Sequence, residues 1–183
     1  MTMIFINGPI GCGKSYDSRA IKGFYHVSEF DETFSDTIVD FYDGKIDPVT
    51  FQNMFINHTL DLQSRRAAKL DCICDSSIIQ HLTFCRIRGI EVCEKEIIKR
   101  AFGNFYSFMI ILKDMPWEYC RANIVDRARP YELHNLDELK EIHAKFTPTF
   151  LEICNDHKIP CLVIREPLTD ELLNDIRNPT IDT

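Results

Sequence analysis

A chain of 183 residues, 45% hydrophobic and 27% charged, has the composition of a globular protein. One domain spanning 1–183 is long enough to bury roughly two-thirds of its unfolded surface without disulfide staples. The formal net charge of −7 excludes a general nucleic-acid or anionic-membrane surface, so any phosphate site has to be locally basic.

The eight cysteines, at 12, 72, 74, 85, 93, 120, 154 and 161, include no C-x-x-C pair. They read as free thiols of a reducing compartment rather than a disulfide framework or zinc site. No stretch approaches the ~18 apolar residues of a membrane span, and the first strand begins without a leader, so the expected location is cytoplasmic.

Apolar runs at 3–6, 24–27, 70–74, 106–112 and 161–164 predict strands, with longer helical patterns between them. That alternation predicts an α/β fold, a five-stranded parallel sheet covered by helices on both faces. The first helix is expected over 13–22, stopping at Gly23, and a second over 31–42, ended by Asp43-Gly44. Asp47 as N-cap and Pro48 at the first helical position open a long helix to 69. Its stripe carries Phe51, Phe55 and Leu62, and a neighbouring face carries Gln52, Phe55, Ile56 and Thr59 toward a pocket.

Further helices are predicted over 76–86 and 92–102, the latter closed by Gly103-Asn104. Pro116 opens another through Trp117, Cys120 and Ile124 toward Arg129, where Pro130 interrupts it. Leu136, Leu139, His143 and Phe146 mark a helix broken or kinked near Pro148, and the last helix is capped at Thr169.

Gly8-Pro9-Ile10-Gly11-Cys12-Gly13-Lys14-Ser15 matches the phosphate-loop pattern G-x-x-x-x-G-K-[ST] between a predicted strand and a predicted helix. Backbone N–H groups of such a turn wrap a polyphosphate, Lys14 reaches its β and γ oxygens, and the Ser15 hydroxyl ligates a magnesium ion carried by the nucleotide. Asp75 closes the third strand. At a strand's carboxyl end it either faces the loop, to act on magnesium or an attacking hydroxyl, or serves as N-cap of the next helix. Glu29 ends the second strand at the same sheet edge and is a second candidate near magnesium. Arg121, Arg127 and Arg129 suit a cover of about 121–132 that neutralises a transferring phosphoryl group. The competing reading is a solvated face paired with Asp126 or Glu132.

Together these stretches resemble the deoxynucleoside kinase family of deoxycytidine, deoxyguanosine and thymidine kinases, in a compact viral or bacterial form. Val27-Ser28-Glu29 is similar to the family's segment whose glutamate approaches the nucleoside 5′-hydroxyl. Val49-Thr50-Phe51-Gln52 is similar to the helix start whose glutamine reads the base, and Cys74-Asp75-Ser76-Ser77 to the acidic-Arg-Ser motif bearing the general base. Residues 112–120 with Asp126-Arg127-Ala128-Arg129 resemble the fourth strand and arginine-bearing lid, and Tyr42 the tyrosine at the sugar 3′-hydroxyl.

The chain departs from the family at five places. Ser76 stands for an arginine, Asn123 for a lid arginine, His81 for a base-reading aspartate and Thr59 for an arginine, and the glutamate that meets the 3′-hydroxyl falls near His134.

The resemblance implies ATP- and Mg2+-dependent phosphorylation of a deoxynucleoside 5′-hydroxyl. Asp75, Lys14, Arg127 and Arg129 would be catalytic; Gly8, Gly11, Cys12, Gly13, Lys14 and Ser15 would bind ATP; and Glu29, Tyr42, Gln52, Phe55, His81 and Phe84 would line the acceptor site. A homodimer is implied too, with no nucleic-acid or membrane partner. A nucleoside monophosphate kinase and a nucleotide-binding regulator without catalysis remain the alternatives.

Overall fold

The computed structural model describes residues 3–28, 34–66, 71–103 and 107–177. In it β1 (Met3–Asn7) is buried along its whole length, and alternate side chains serve two different cores. Met3 and Phe5 join Cys72, Cys74, Ile110 and Leu112 on one face of a sheet, whereas Ile4 and Ile6 join Ile73 and Ile111 on the other. An apolar run without alternation becomes a strand covered on both sides.

The elements that follow are α1 (Lys14–Ala20), β2 (Tyr25–Val27), α2 (Ser35–Tyr42), α3 (Pro48–Arg66), β3 (Cys72–Cys74), α4 (Ile78–Ile87) and α5 (Glu94–Phe102). Then come β4 (Phe108–Lys113), α6 (Trp117–Arg127), α7 (Pro130–His134), α8 (Leu136–Asp156), β5 (Cys161–Ile164) and α9 (Asp170–Arg177). The five strands pair in the order β2-β3-β1-β4-β5, all parallel, with Ile4 opposite both Ile73 and Met109. This is the expected α/β architecture.

Helices α3, α4, α5 and α8 cover the Phe5 face through Ile56, Leu82, Phe102, Phe146 and Phe150. Ile21 after α1, with Leu168 and Leu173, covers the Ile4 face. The chain leaves β1 along one face and β3 along the other, which opens a crevice at the carboxyl ends of these two neighbouring strands.

Local chemistry sets several boundaries. Asp47 Oδ1 accepts from the backbone N–H groups of Val49 and Thr50, both at 3.0 Å, and caps α3 as expected. The Thr50 side chain first, then the backbone N–H groups of Thr50 and Val49, hold its carboxyl below the usual range by hydrogen bonding. The cap of α4 is Ser77, whose Oγ accepts from Ile79 N at 3.2 Å, so the capping alternative for Asp75 does not hold.

Two expectations based on proline are corrected. Ala128 takes a left-handed φ of 50° and ends α6, but Pro130 then opens α7 instead of merely interrupting a helix. Pro148 does not break α8, which runs on to Asp156 because Phe146 and Phe150 on either side of it are both fully buried. All eight cysteines are free, and no helix among the described residues is long and apolar enough to cross a membrane.

Candidate active site

The glycine-rich turn sits between β1 and α1, at the mouth of the crevice. Lys14 Nζ folds back over its own loop, donating to Gly8 O at 3.0 Å and Pro9 O at 3.4 Å, with Cys12 Sγ at 4.0 Å. Side chains from two other elements fix the turn. Gln80 Oε1 accepts from Gly8 N at 3.2 Å, and Asn123 Nδ2 donates to Gly11 O at 2.8 Å. Gly11 is at φ 86°, and a Cβ there would overlap the carbonyl oxygen of Cys120, so α6 packs on the loop at backbone distance. Cys12 is fully buried against Met115 and Cys120, a packing role.

Beside the loop opens a cavity of about 510 Å³. Gly11, Gly13, Lys14 and Ser15 share its walls with Tyr42, Gln52, Phe55, His81 and Phe84, so most of the expected donor and acceptor residues meet in one space. Tyr42 stacks on Tyr131 of α7 with ring centroids 4.7 Å apart, and burial pushes its hydroxyl up to about 12. Gln52 is buried to 2% exposure, one turn from Phe55, whose ring lies 4.2 Å from that of His81.

His81 makes a compact polar group with two other departures from the family pattern. Its Nε2 lies 3.0 Å from Thr59 Oγ1 and 3.5 Å from Ser76 Oγ. Burial first, then the charge of Lys14 and the neighbouring His58, lower its pKa from 6.5 to about 3, so the imidazole is neutral at physiological pH.

Asp75 follows β3 and is 1% exposed, with its backbone N–H bonded to Val27 O at 3.2 Å and His26 Nε2 3.8 Å from its Oδ2. It stands at the crevice beside β1 but is not among the residues lining the cavity. Glu29 lies outside the described residues.

Arg127 and Arg129 line the cavity, whereas Arg121 is exposed and does not. Arg127 donates to both carboxylate oxygens of Glu132 at 2.6 and 2.7 Å, and Arg129 lies 3.6 Å from the same group. The pairing with Glu132 therefore exists, but on a carboxylate that is 3% exposed and faces the cavity, not on a solvated surface.

The family's sugar-binding glutamate was read as replaced near His134, but Glu132, two residues earlier, puts a carboxylate in the cavity wall. Arg88 was missed altogether. It lines the cavity with its guanidinium 5.2 Å from the Phe41 ring and 5.9 Å from Phe84, and pairs with Glu138 at 3.3 Å. Its only sequence signal was a charge one residue past an apolar helix.

The described residues hold no cluster of three or more metal-ligating side chains. A magnesium ion that arrives on phosphates needs one or two protein oxygens, and the exposed Ser15 hydroxyl beside Lys14 fits that demand.

A parallel sheet with a phosphate-loop turn at its switch point, opening on one cavity with aromatic, amide and arginine walls, defines a P-loop fold. Comparison with solved structures narrows the fold to that of deoxynucleoside kinases. Three structures of deoxyadenosine kinase from M. mycoides superimpose along nearly their whole length. The one with the products dCMP and a flexible dCDP matches at TM-score 0.70 and 16% identity, covering 96% of this chain and 97% of that one. The dCTP complex matches at 0.68 and 17%, covering 96% and 98%. The dATP complex matches at 0.67 and 17%, covering 97% and 100%. No protein-family profile matches the sequence, and no curated protein matches it.

Proposed function

We propose that the protein transfers the γ-phosphoryl group of ATP to the 5′-hydroxyl of a deoxynucleoside, giving the monophosphate and ADP in the cytoplasm. The observation that carries this reading is the single cavity in which Lys14 and Ser15 of the loop share walls with Gln52, Phe55, His81 and Tyr42. A phosphate loop and a cavity wall of aromatic rings with a buried amide are the two halves that such a transfer needs.

In this reading Lys14 leaves the carbonyls of Gly8 and Pro9 for the β and γ oxygens of the donor. The Ser15 hydroxyl would hold a magnesium ion brought by the nucleotide, which would supply charge neutralisation at the phosphates. Asp75 accepts the proton of the 5′-hydroxyl as its oxygen attacks phosphorus and ADP departs, and Glu29 orients that hydroxyl. Gln52 reads the base edge between Phe55 and Phe84, while Tyr42 and Glu132 hold the sugar. When Glu132 takes up a sugar hydroxyl, Arg127 and Arg129 turn to the transferring phosphoryl group, a contribution worth about 10³ to 10⁵ in rate in related chemistries. A homodimer belongs to the same proposal and is read by sedimentation.

A phosphorylation screen tests the function, with the four deoxynucleosides and their monophosphates offered side by side with ATP and Mg2+. The expected result is monophosphate formation from at least one nucleoside. Turnover on monophosphates alone identifies a nucleoside monophosphate kinase, and bound ATP without turnover identifies a regulator; either sinks the proposal.

A further inference from the structure

A second lysine lies against the phosphate loop. Lys113, the last residue of β4, is fully buried, and its Nζ is 2.5 Å from Oδ2 of Asp17, which is 2% exposed. Asp17 belongs to the first turn of α1, and the same oxygen accepts from the backbone N–H of Leu168 at 2.8 Å. One carboxylate thus joins α1, β4 and the segment between β5 and α9.

Desolvating two opposite charges is costly, and apolar side chains of equal volume commonly serve stability as well or better. The position of the pair says what else it does. A Cβ on Gly8 would fall 2.7 Å from the Lys113 carbonyl oxygen, and one on Gly13 would fall 3.3 Å from the Lys113 Nζ. Lys113 therefore packs against both the first and the last glycine of the loop. Gly13 has φ 87° and immediately precedes Lys14. The ammonium lies at the Gly13 backbone, whereas the compensating charge is attached one helical turn further on, where Asp17 N bonds to Gly13 O at 3.1 Å, and is shared with the Leu168 N–H. The ammonium is thus the part of the pair in direct contact with the loop backbone.

We propose that Lys113 is a positioning residue for the donor phosphates, holding Gly8 and Gly13 in the anion-binding shape and adding a fixed positive charge behind the loop. The proposal rests on the reading that the loop binds the donor's polyphosphate, and it adds to the Lys14 contact a cation that never touches the nucleotide.

The test is the double variant Lys113→Met with Asp17→Asn, which removes both charges and keeps an oxygen for Leu168 N–H. MgATP and deoxynucleoside are each titrated by calorimetry, and steady-state kinetics and melting temperature are measured alongside. The dissociation constant and KM for MgATP should rise by about tenfold or more. Deoxynucleoside affinity and kcat at saturating ATP should stay within a factor of about two, a split that a merely structural pair does not produce.

Unchanged MgATP affinity overturns the proposal, and so does an equal loss for both ligands. Should the double variant fail to fold, Lys113→Gln with Asp17→Asn keeps a neutral hydrogen bond between the two side chains and carries the same expectation and the same overturning result. A wild-type chain that binds MgATP but phosphorylates no nucleoside overturns the kinase reading alone, and the titrations still decide on Lys113. A wild-type chain that binds no MgATP overturns both.

Discussion

Two buried carboxylates, Asp75 at the crevice and Glu132 in the cavity wall, have different surroundings and are proposed for different roles. Asp75 ends β3 at the crevice, while Glu132 is already engaged by Arg127 through two short hydrogen bonds. In the proposed reaction Glu132 is engaged by a sugar hydroxyl once its arginines turn to the phosphoryl group, and Asp75 is the carboxylate proposed to take the proton. Asp75→Asn should lower kcat by roughly 10² to 10⁴ and leave nucleoside affinity nearly unchanged. Glu132→Gln should instead raise the KM for the nucleoside. Steady-state kinetics on the two variants decide, and the opposite pattern would move the base to Glu132.

The neutral group of Thr59, Ser76 and His81 gives a second prediction at this scale. His81 is lowered from 6.5 to about 3 in the fold, so between those values the unfolded chain binds a proton that the folded chain refuses. Stability is then fully present above pH 6.5 and falls as the pH drops toward 3. Its share of the loss is about 1.4 kcal/mol per pH unit well below 6.5. Denaturant titrations at pH 7.5 and 5.5 should differ by about 1.4 kcal/mol in total from this group, and His81→Gln should remove that difference.

At the scale of elements, short-range chemistry was the legible part. The Asp47-Pro48 cap, the β1 run and the loop each declare themselves within a few residues, because capping, burial on two faces and phosphate wrapping are local demands. Proline was read too locally. Pro130 forbids continuing α6 yet is well suited to the first turn of α7, and both roles have the same local sequence.

Pro148 costs α8 one backbone hydrogen bond and about 3 kcal/mol, but the burial of Phe146, Phe150 and Ile153 outweighs that at roughly 1.5 to 3 kcal/mol per side chain. It follows that the helix depends on those rings. Phe150→Ala should destabilise the protein by about 3 to 5 kcal/mol in urea unfolding, since the ring is fully enclosed and leaves a cavity beside the proline. A loss under 1 kcal/mol would mean that α8 is held elsewhere.

For the whole molecule, what the sequence could not disclose is which distant parts meet. Strand order, the 96-residue separation of Lys113 from Asp17 and the convergence of α2, α3, α4, α6 and α7 on one cavity are products of tertiary packing. The cavity draws its walls from several elements, so a ligand bound there adds contacts that tie them together. Ligands that bind only the folded state stabilise it by mass action, about 2.7 kcal/mol at a hundredfold excess over the dissociation constant. For a chain of this size that is a rise of about 5 to 10 °C in melting temperature. MgATP should produce it, and a nucleoside that is an acceptor in the proposed reaction should produce its own shift. Lys14→Met should abolish the MgATP shift while sparing the nucleoside shift, because Lys14 contacts only the phosphates in the proposed complex. Thermal scans of the two proteins with each ligand read this directly, and an intact MgATP shift in the variant would place the nucleotide somewhere other than the loop.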